Sequence, residues 1–293
     1  MRAFNIVTLA ISAVLSAKAA RIESCTEPNT IALTFDDGPY EFTNELMDTL
    51  KAHNIHATFF VNAYNYWKDF PENKEKQQVW VRAKKEGHQI ASHTWDHTIP
   101  DDDKELEEKM KKLDDLVEAN TGYRPKYVRA PLGACNPECV DRFEKLGYKV
   151  IQWDTDTHDW DVEKDDDDQV IPESKDKRVA AAKEFLKGEF DQKKSNYMIL
   201  MHDVYNHTVS EIVPWIIENN PFKDYKYVTV AECLGDYSIS VNDTTANNST
   251  DRSLVTGNST DAQNLTANGA ITNQMFSFSM MITFLFGFLY FLF

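Results

Sequence analysis

The sequence predicts an α/β fold, a distorted barrel of about seven parallel strands. Short apolar or β-branched runs alternate with longer amphipathic ones through most of the 293 residues, the pattern of strand-helix-strand units around a parallel sheet. Five of the predicted strands are followed at once by a chemically distinctive polar group. A barrel gathers its active groups at the carboxyl ends of its strands, whereas an open doubly wound sheet brings together only those near its switch point. The 42% hydrophobic content suffices for one sizeable domain.

The predicted strands are 31–35, 57–61, 89–92, 127–129, 148–153, 197–201 and 227–230, and the predicted helices 41–53, 75–86, 103–120, 137–146, 175–188 and 208–219. The domain they build occupies residues 20–238. Residues 1–19 read as a secretory signal peptide, with Arg2, an apolar run from Ile6 to Leu15 and a small-x-small site at Ala17-Lys18-Ala19. Residues 239–268 are rich in Asn, Ser and Thr and too polar to bury a core, and read as a glycosylated stalk. Their sequons begin at Asn242, Asn247, Asn248, Asn258 and Asn264, and another begins at Asn206 inside the domain. Residues 269–293 end in an uncharged apolar tail and resemble a glycosylphosphatidylinositol attachment signal, with Asn268 as the lipid-bearing residue. The expected location is therefore extracellular, anchored to the outer face of the plasma membrane or the wall, and the expected state is monomeric.

Four cysteines in a secreted chain point to two disulfides. Cys135 and Cys139 can close a small loop, and Cys25 and Cys233 lie near the two ends of the folded region, so these are the expected pairs. The net charge of −16 excludes a nucleic-acid partner. It suits a neutral or cationic substrate.

Thr34-Phe35-Asp36-Asp37-Gly38-Pro39 ends the first strand in a turn, with two adjacent carboxylates. Neighbouring residues point in different directions, so one carboxylate can hold a metal while the other moves a proton. His93 and His97 are four residues apart, a spacing that on one helical turn faces both imidazoles to a common ion. With an Asp they form a two-His, one-carboxylate set with open positions for water and substrate. Zinc is the expected ion, with cobalt, iron or manganese as alternatives. Arg129, beside Pro131, can orient a carboxylate. Asp156 to Trp160 mix acids with an indole, and His202 leaves a buried strand next to Asp203 as a candidate proton donor. His88 reads as a structural residue capping a helix, and His53, His56 and His207 carry no signal of a partner.

Taken together, Thr34-Phe35-Asp36-Asp37-Gly38-Pro39, His93-Thr94-Trp95-Asp96-His97, Arg129-Ala130-Pro131, Asp156-Thr157-His158-Asp159-Trp160 and Leu200-Met201-His202 resemble, in order, the motifs of the polysaccharide deacetylases, the NodB-homology group or carbohydrate esterase family 4. The likeness covers about residues 28–235 and is nearest to the fungal chitin deacetylases. It implies a distorted barrel, Asp36 as general base, and Asp37, His93 and His97 as ligands of one divalent ion. It further implies that Arg129 orients Asp36, that Asp159 tunes His202 as general acid, and that Trp160 and Leu200 wall the acetyl pocket. Leu132 stands where the family usually carries an aromatic; its N–H can still serve the oxyanion, but stacking of a ring on sugar is lost. The implied reaction is metal-dependent removal of N-acetyl groups from chitin or chitooligosaccharides. Peptidoglycan, acetylated xylan or another acetylated polymer is the alternative substrate, and an inactive wall-anchored carbohydrate-binding protein the alternative class.

Overall fold

The computed structural model describes residues 20–165 and 170–239. The expected signal peptide, stalk, lipid-attachment signal and sequons from Asn242 onward lie outside the described residues. Among the described residues no helix is long and apolar enough to cross a membrane.

The strands are β1 (Thr30–Asp36), β2 (Thr58–Val61), β3 (Gln89–Ser92), β4 (Tyr127–Val128), β5 (Lys149–Val150), β6 (Thr155–Asp156), β7 (Asn196–His202) and β8 (Lys226–Tyr227). The helices are α1 (Thr43–Ala52), α2 (Gln78–Lys85), α3 (Asp103–Thr121), α4 (Pro137–Lys145), α5 (Pro172–Asp191), α6 (Val213–Asn219) and α7 (Val230–Cys233). The sheet runs β5-β4-β3-β2-β1-β7-β6, with β8 paired to the start of β1. Every pairing between these strands is parallel. The seven-strand path curls into a half-barrel and is open between β5 and β6.

Strand alternation sorts the side chains. Ile31, Leu33 and Phe35 of β1, Phe59 and Val61 of β2, and Tyr197, Ile199 and Met201 of β7 join residues of α1, α2, α3, α5 and α6 in the main core. Ala32, Phe60, Ala91, Tyr127 and Met198 face the other way, into a second cluster with Val230 and Ala231 of α7. The same interior parity continues to Thr34 and Asp36 on β1, Leu200 and His202 on β7, and His93 just past β3. Period two therefore delivers these polar groups to one mouth of the half-barrel.

The opposite mouth is closed by α7. Its first N–H groups donate to Thr58 Oγ1 (2.8 Å, from Val230) and Gln89 Oε1 (2.9 Å, from Ala231), so buried helix-end donors are satisfied by strand side chains. Cys25 is bonded to Cys233 there, and Cys135 to Cys139 beside α4.

Several elements differ from the sequence expectation. The two-residue β6 has too little periodicity to stand out. The run 227–230 gives only Tyr227 to a strand, because Thr229 caps α7 through a capping box with Glu232. The run 148–153 keeps two residues in β5, and its Ile151 bridges Ile22 instead. The segment 208–219 opens as a π-helical turn, Thr208–Ile212, before α6. His88 caps no helix: it is buried, and its Nδ1 lies 3.2 Å from the Ala57 N–H, tying α2 to the entry of β2.

The Cys25–Cys233 bridge closes a loop of 208 residues and the Cys135–Cys139 bridge a loop of four. Loop-closure entropy makes the long bridge the more stabilising one. Replacing both Cys25 and Cys233 by Ser is expected to lower unfolding free energy by about 2–5 kcal/mol. The Cys135→Ser, Cys139→Ser pair should cost less, with urea denaturation of the non-reduced proteins as the check.

Candidate active site

The β1 and β7 ladder ends with Asp36 opposite His202. Asp36 is buried, and Arg129 Nη1 donates to its Oδ1 at 2.8 Å. Arg129 is wholly buried as well. Its Nη1 also donates to Thr34 Oγ1, its Nη2 to the Gln152 carbonyl, both at 2.8 Å, and its guanidinium lies 4.1 Å from the Phe60 ring centroid. So many fixed partners leave the Asp36 carboxylate one orientation, with Oδ2 directed to the mouth.

Asp37 departs from strand parity because its backbone is left-handed, φ 75°. That turn brings its Oδ1 to 3.4 Å from His93 Nε2 and 3.3 Å from His97 Nε2. His93 and His97 do not share a helical turn as their spacing suggested. They sit in a loop after β3 with left-handed residues at Thr94 (φ 70°) and His97 (φ 58°), and this loop, not a helix, folds the second imidazole back over the first.

These three residues fit a divalent ion. One ligand atom from each lies within 4.8 Å of the others, and Asp37 Oδ1 is buried without a hydrogen-bond partner. His93 Nδ1 is 2.8 Å from the Arg129 carbonyl. A carbonyl only accepts, so Nδ1 carries the proton and Nε2 presents its lone pair to the cluster. Burial opposes the charge on Asp37, but the nearby imidazoles, His93 foremost, hold its carboxyl at about 2. His93 is also costly to charge in the interior, yet the charges of Asp36 and Asp37 raise its pKa. The cluster thus draws positive charge to the point where a metal would sit.

Across the mouth, His202 Nδ1 is 2.8 Å from Asp159 Oδ1, while the His202 N–H donates to Asp159 Oδ2 at 2.7 Å. Asp159 is fully buried. Its Oδ2 also accepts from the Thr208 hydroxyl at 2.6 Å, and its carbonyl lies 2.8 Å from His207 Nε2. Burial disfavours the imidazolium of His202, but Asp159 outweighs it and lifts the pKa to about 10. His202 is thus held toward its protonated form against a fixed carboxylate. Thr208 and His207 were not legible as site residues in sequence, because a hydroxyl on the buried Asp159 carboxylate and an imidazole on its backbone carbonyl leave no spacing signal.

Both arms line one cavity of about 420 Å³, together with Leu132, Gly133, Trp153, Asp156, Trp160, Leu200 and Tyr205. Leu200 is buried, Trp160 is 46% exposed and Leu132 is 86% exposed. Leu132 is left-handed (φ 58°), and among the described residues its N–H donates to no protein acceptor. Asn206 is on the surface beside Tyr205, and its carbonyl accepts from the Ser210 hydroxyl at 2.9 Å.

Comparison with known proteins gives this arrangement a family. The polysaccharide deacetylase profile matches residues 23–151. A chitin deacetylase of Colletotrichum lindemuthianum is 33% identical over 219 residues, covering 73% of this chain and 83% of the relative. The chain belongs to the polysaccharide deacetylase family. It is accordingly a hydrolase that removes acetyl groups. The solved structure of the Colletotrichum lindemuthianum chitin deacetylase superposes with a TM-score of 0.65 at 34% identity, covering 74% of this chain and 92% of that one. A probable peptidoglycan-N-acetylglucosamine deacetylase of Arthroderma benhamiae is 37% identical, covering 73% of this chain but 46% of the relative.

Were His202 to serve as a general acid, it would act only while protonated, and activity would fall as pH rises through its pKa. Asp159→Asn removes the charge that raises this pKa. The alkaline limb of the kcat profile should then move to lower pH by roughly 1–3 units, with the acid limb in place, as read from acetate release across pH.

Proposed function

We propose that this deacetylase is a metal-dependent enzyme that removes N-acetyl groups from N-acetylglucosamine units of chitin, giving chitosan and acetate. The observation that carries this reading is the pairing, across one cavity, of an Arg-held carboxylate beside a metal-binding triad with an Asp-held imidazolium. An amide needs both: a base to activate water and an acid to protonate a poor leaving nitrogen. Chitin is the favoured polymer because a fungal chitin deacetylase is matched over most of its length. The sequence features of residues 1–19 and 239–293 support a secreted, glycosylated, lipid-anchored protein acting at the cell wall, and the sequon at Asn206 a glycan at the rim of the domain.

Asp37, His93 and His97 would hold the ion, zinc or cobalt, which supplies Lewis-acid polarisation of the acetamide carbonyl and a more acidic water. Asp36 takes the proton of the attacking water. Arg129 keeps its carboxylate aimed, since the buried guanidinium donates to one of its oxygens. The Leu132 N–H donates to the oxyanion that develops as the carbonyl carbon becomes tetrahedral, a contribution of about 3 kcal/mol for one such donor. His202 passes its proton to the departing nitrogen while Asp159 stabilises the imidazolium. Leu200 and Trp160 enclose the acetyl methyl in apolar contact.

Asp36→Asn keeps the metal ligands and should abolish turnover while metal content stays at the wild-type level. His93→Ala should lose both, measured by acetate release from chitin oligosaccharides alongside elemental analysis. Chelation should stop wild-type release and zinc or cobalt restore it. Wild-type protein that is folded and metal-loaded yet inert on chitin but active on peptidoglycan fragments or acetylxylan would reassign the polymer. Leu132→Tyr supplies the missing ring and should lower KM for chitin oligosaccharides roughly fivefold, about 1 kcal/mol of added contact, with kcat unchanged.

A further inference from the structure

The two turns that carry the metal-binding residues do not touch through a strand ladder. β1 ends at Asp36 and β3 at Ser92, so Asp37, His93 and His97 all lie just past the sheet. Between these strands runs β2, and the first residue after it is Asn62, buried to 2% exposure. Its backbone N–H donates to the Gly38 carbonyl at 2.9 Å. Its side-chain amide donates to the His93 carbonyl at 2.5 Å and the Thr94 carbonyl at 2.9 Å. Its Oδ1 accepts from Asn65 Nδ2 at 3.1 Å, and the same Asn65 amide is 3.5 Å from the Asp37 carbonyl. With carbonyls on one side of the amide and a donor on the other, only one orientation of Asn62 satisfies every group.

The turns need such a brace. Asp37, Thr94 and His97 are all left-handed and none is glycine. Each such residue costs roughly 1–3 kcal/mol and persists only where its surroundings fix it. Thr94 has no compensating bond from its own hydroxyl, which is buried without a partner. Asn62 binds the carbonyls on both sides of the His93–Thr94 peptide step and, through Gly38, the residue after Asp37.

We propose that Asn62 is a positioning residue for the metal site, setting the distance between the Asp37 turn and the His93–His97 turn. This rests on the reading of Asp37, His93 and His97 as metal ligands. Groups behind the ligands commonly change metal affinity by about 10–100-fold when removed.

The test is zinc affinity of the full protein by competition with a chromophoric chelator, with melting temperature recorded in parallel. Asn62→Ala should weaken zinc binding roughly 10–100-fold. Adding Thr94→Gly should recover part of that loss, because glycine adopts the left-handed conformation without strain. If Asn62→Ala does not fold, Asn62→Ser, which keeps one donor, replaces it and should show an intermediate loss. Wild-type zinc affinity in the folded variant, with only the melting temperature lowered, would overturn the proposal and leave Asn62 a structural residue. Wild-type protein that takes up neither zinc nor cobalt would instead overturn the metal reading itself.

Discussion

A positive charge in the interior of the half-barrel is the constraint around which the rest is arranged. Arg129 is wholly buried, and removing one partner of a buried ion pair typically costs on the order of 3–5 kcal/mol. Its guanidinium therefore dictates its surroundings. Asp36 must offer it a carboxylate oxygen, Thr34 must carry a hydroxyl, and the chain after β5 must turn so that the Gln152 carbonyl points inward. Its backbone is committed as well, since the Arg129 carbonyl fixes the tautomer of His93. One residue at the end of β4 thus sets both the orientation of the Asp36 carboxylate and the lone pair that His93 Nε2 offers.

The acid arm solves the inverse problem. The negative charge of Asp159 is distributed over the His202 N–H, the Thr208 hydroxyl and the imidazole of His202. All three donors come from β7 or the π-helical turn that follows its loop. The turn in place of a regular helix start accompanies the commitment of the Thr208 hydroxyl to Asp159. The two arms meet only at the mouth, where Asp36 and His202 are paired across the central ladder.

Much of this was legible in the sequence because the groups sit at strand ends, where a change from apolar alternation to charged residues is visible. Asp36-Asp37, Arg129 and His202 follow that rule, and Asp37, His93 and His97, which the fold brings together, were identifiable by type. The path between them was not. The spacing of His93 and His97 suits a helix, yet their loop reaches the same convergence through left-handed residues at Thr94 and His97, which no periodicity encodes. Asn62, Thr208 and His207 were missed for a related reason. Their partners are backbone carbonyls and a buried carboxylate distant in sequence, and a polar residue flanking a strand reads as a loop until the fold brings its partners near. The short β6 escaped because two residues carry no period.

The central pairing of β1 with β7 has a temporal side. Asp37, His93 and His97 come from the first third of the domain and His202 from its last part, and the ladder that unites them is among the most sequence-distant contacts among the described residues. Contacts of that kind form late, after the entropy of closing a long loop has been met. During synthesis the chain can therefore assemble the turns that carry Asp37, His93 and His97 before His202 is in place. On the proposed roles, competence for the full reaction arrives only with β7, which makes turnover itself a marker that the sheet has been completed.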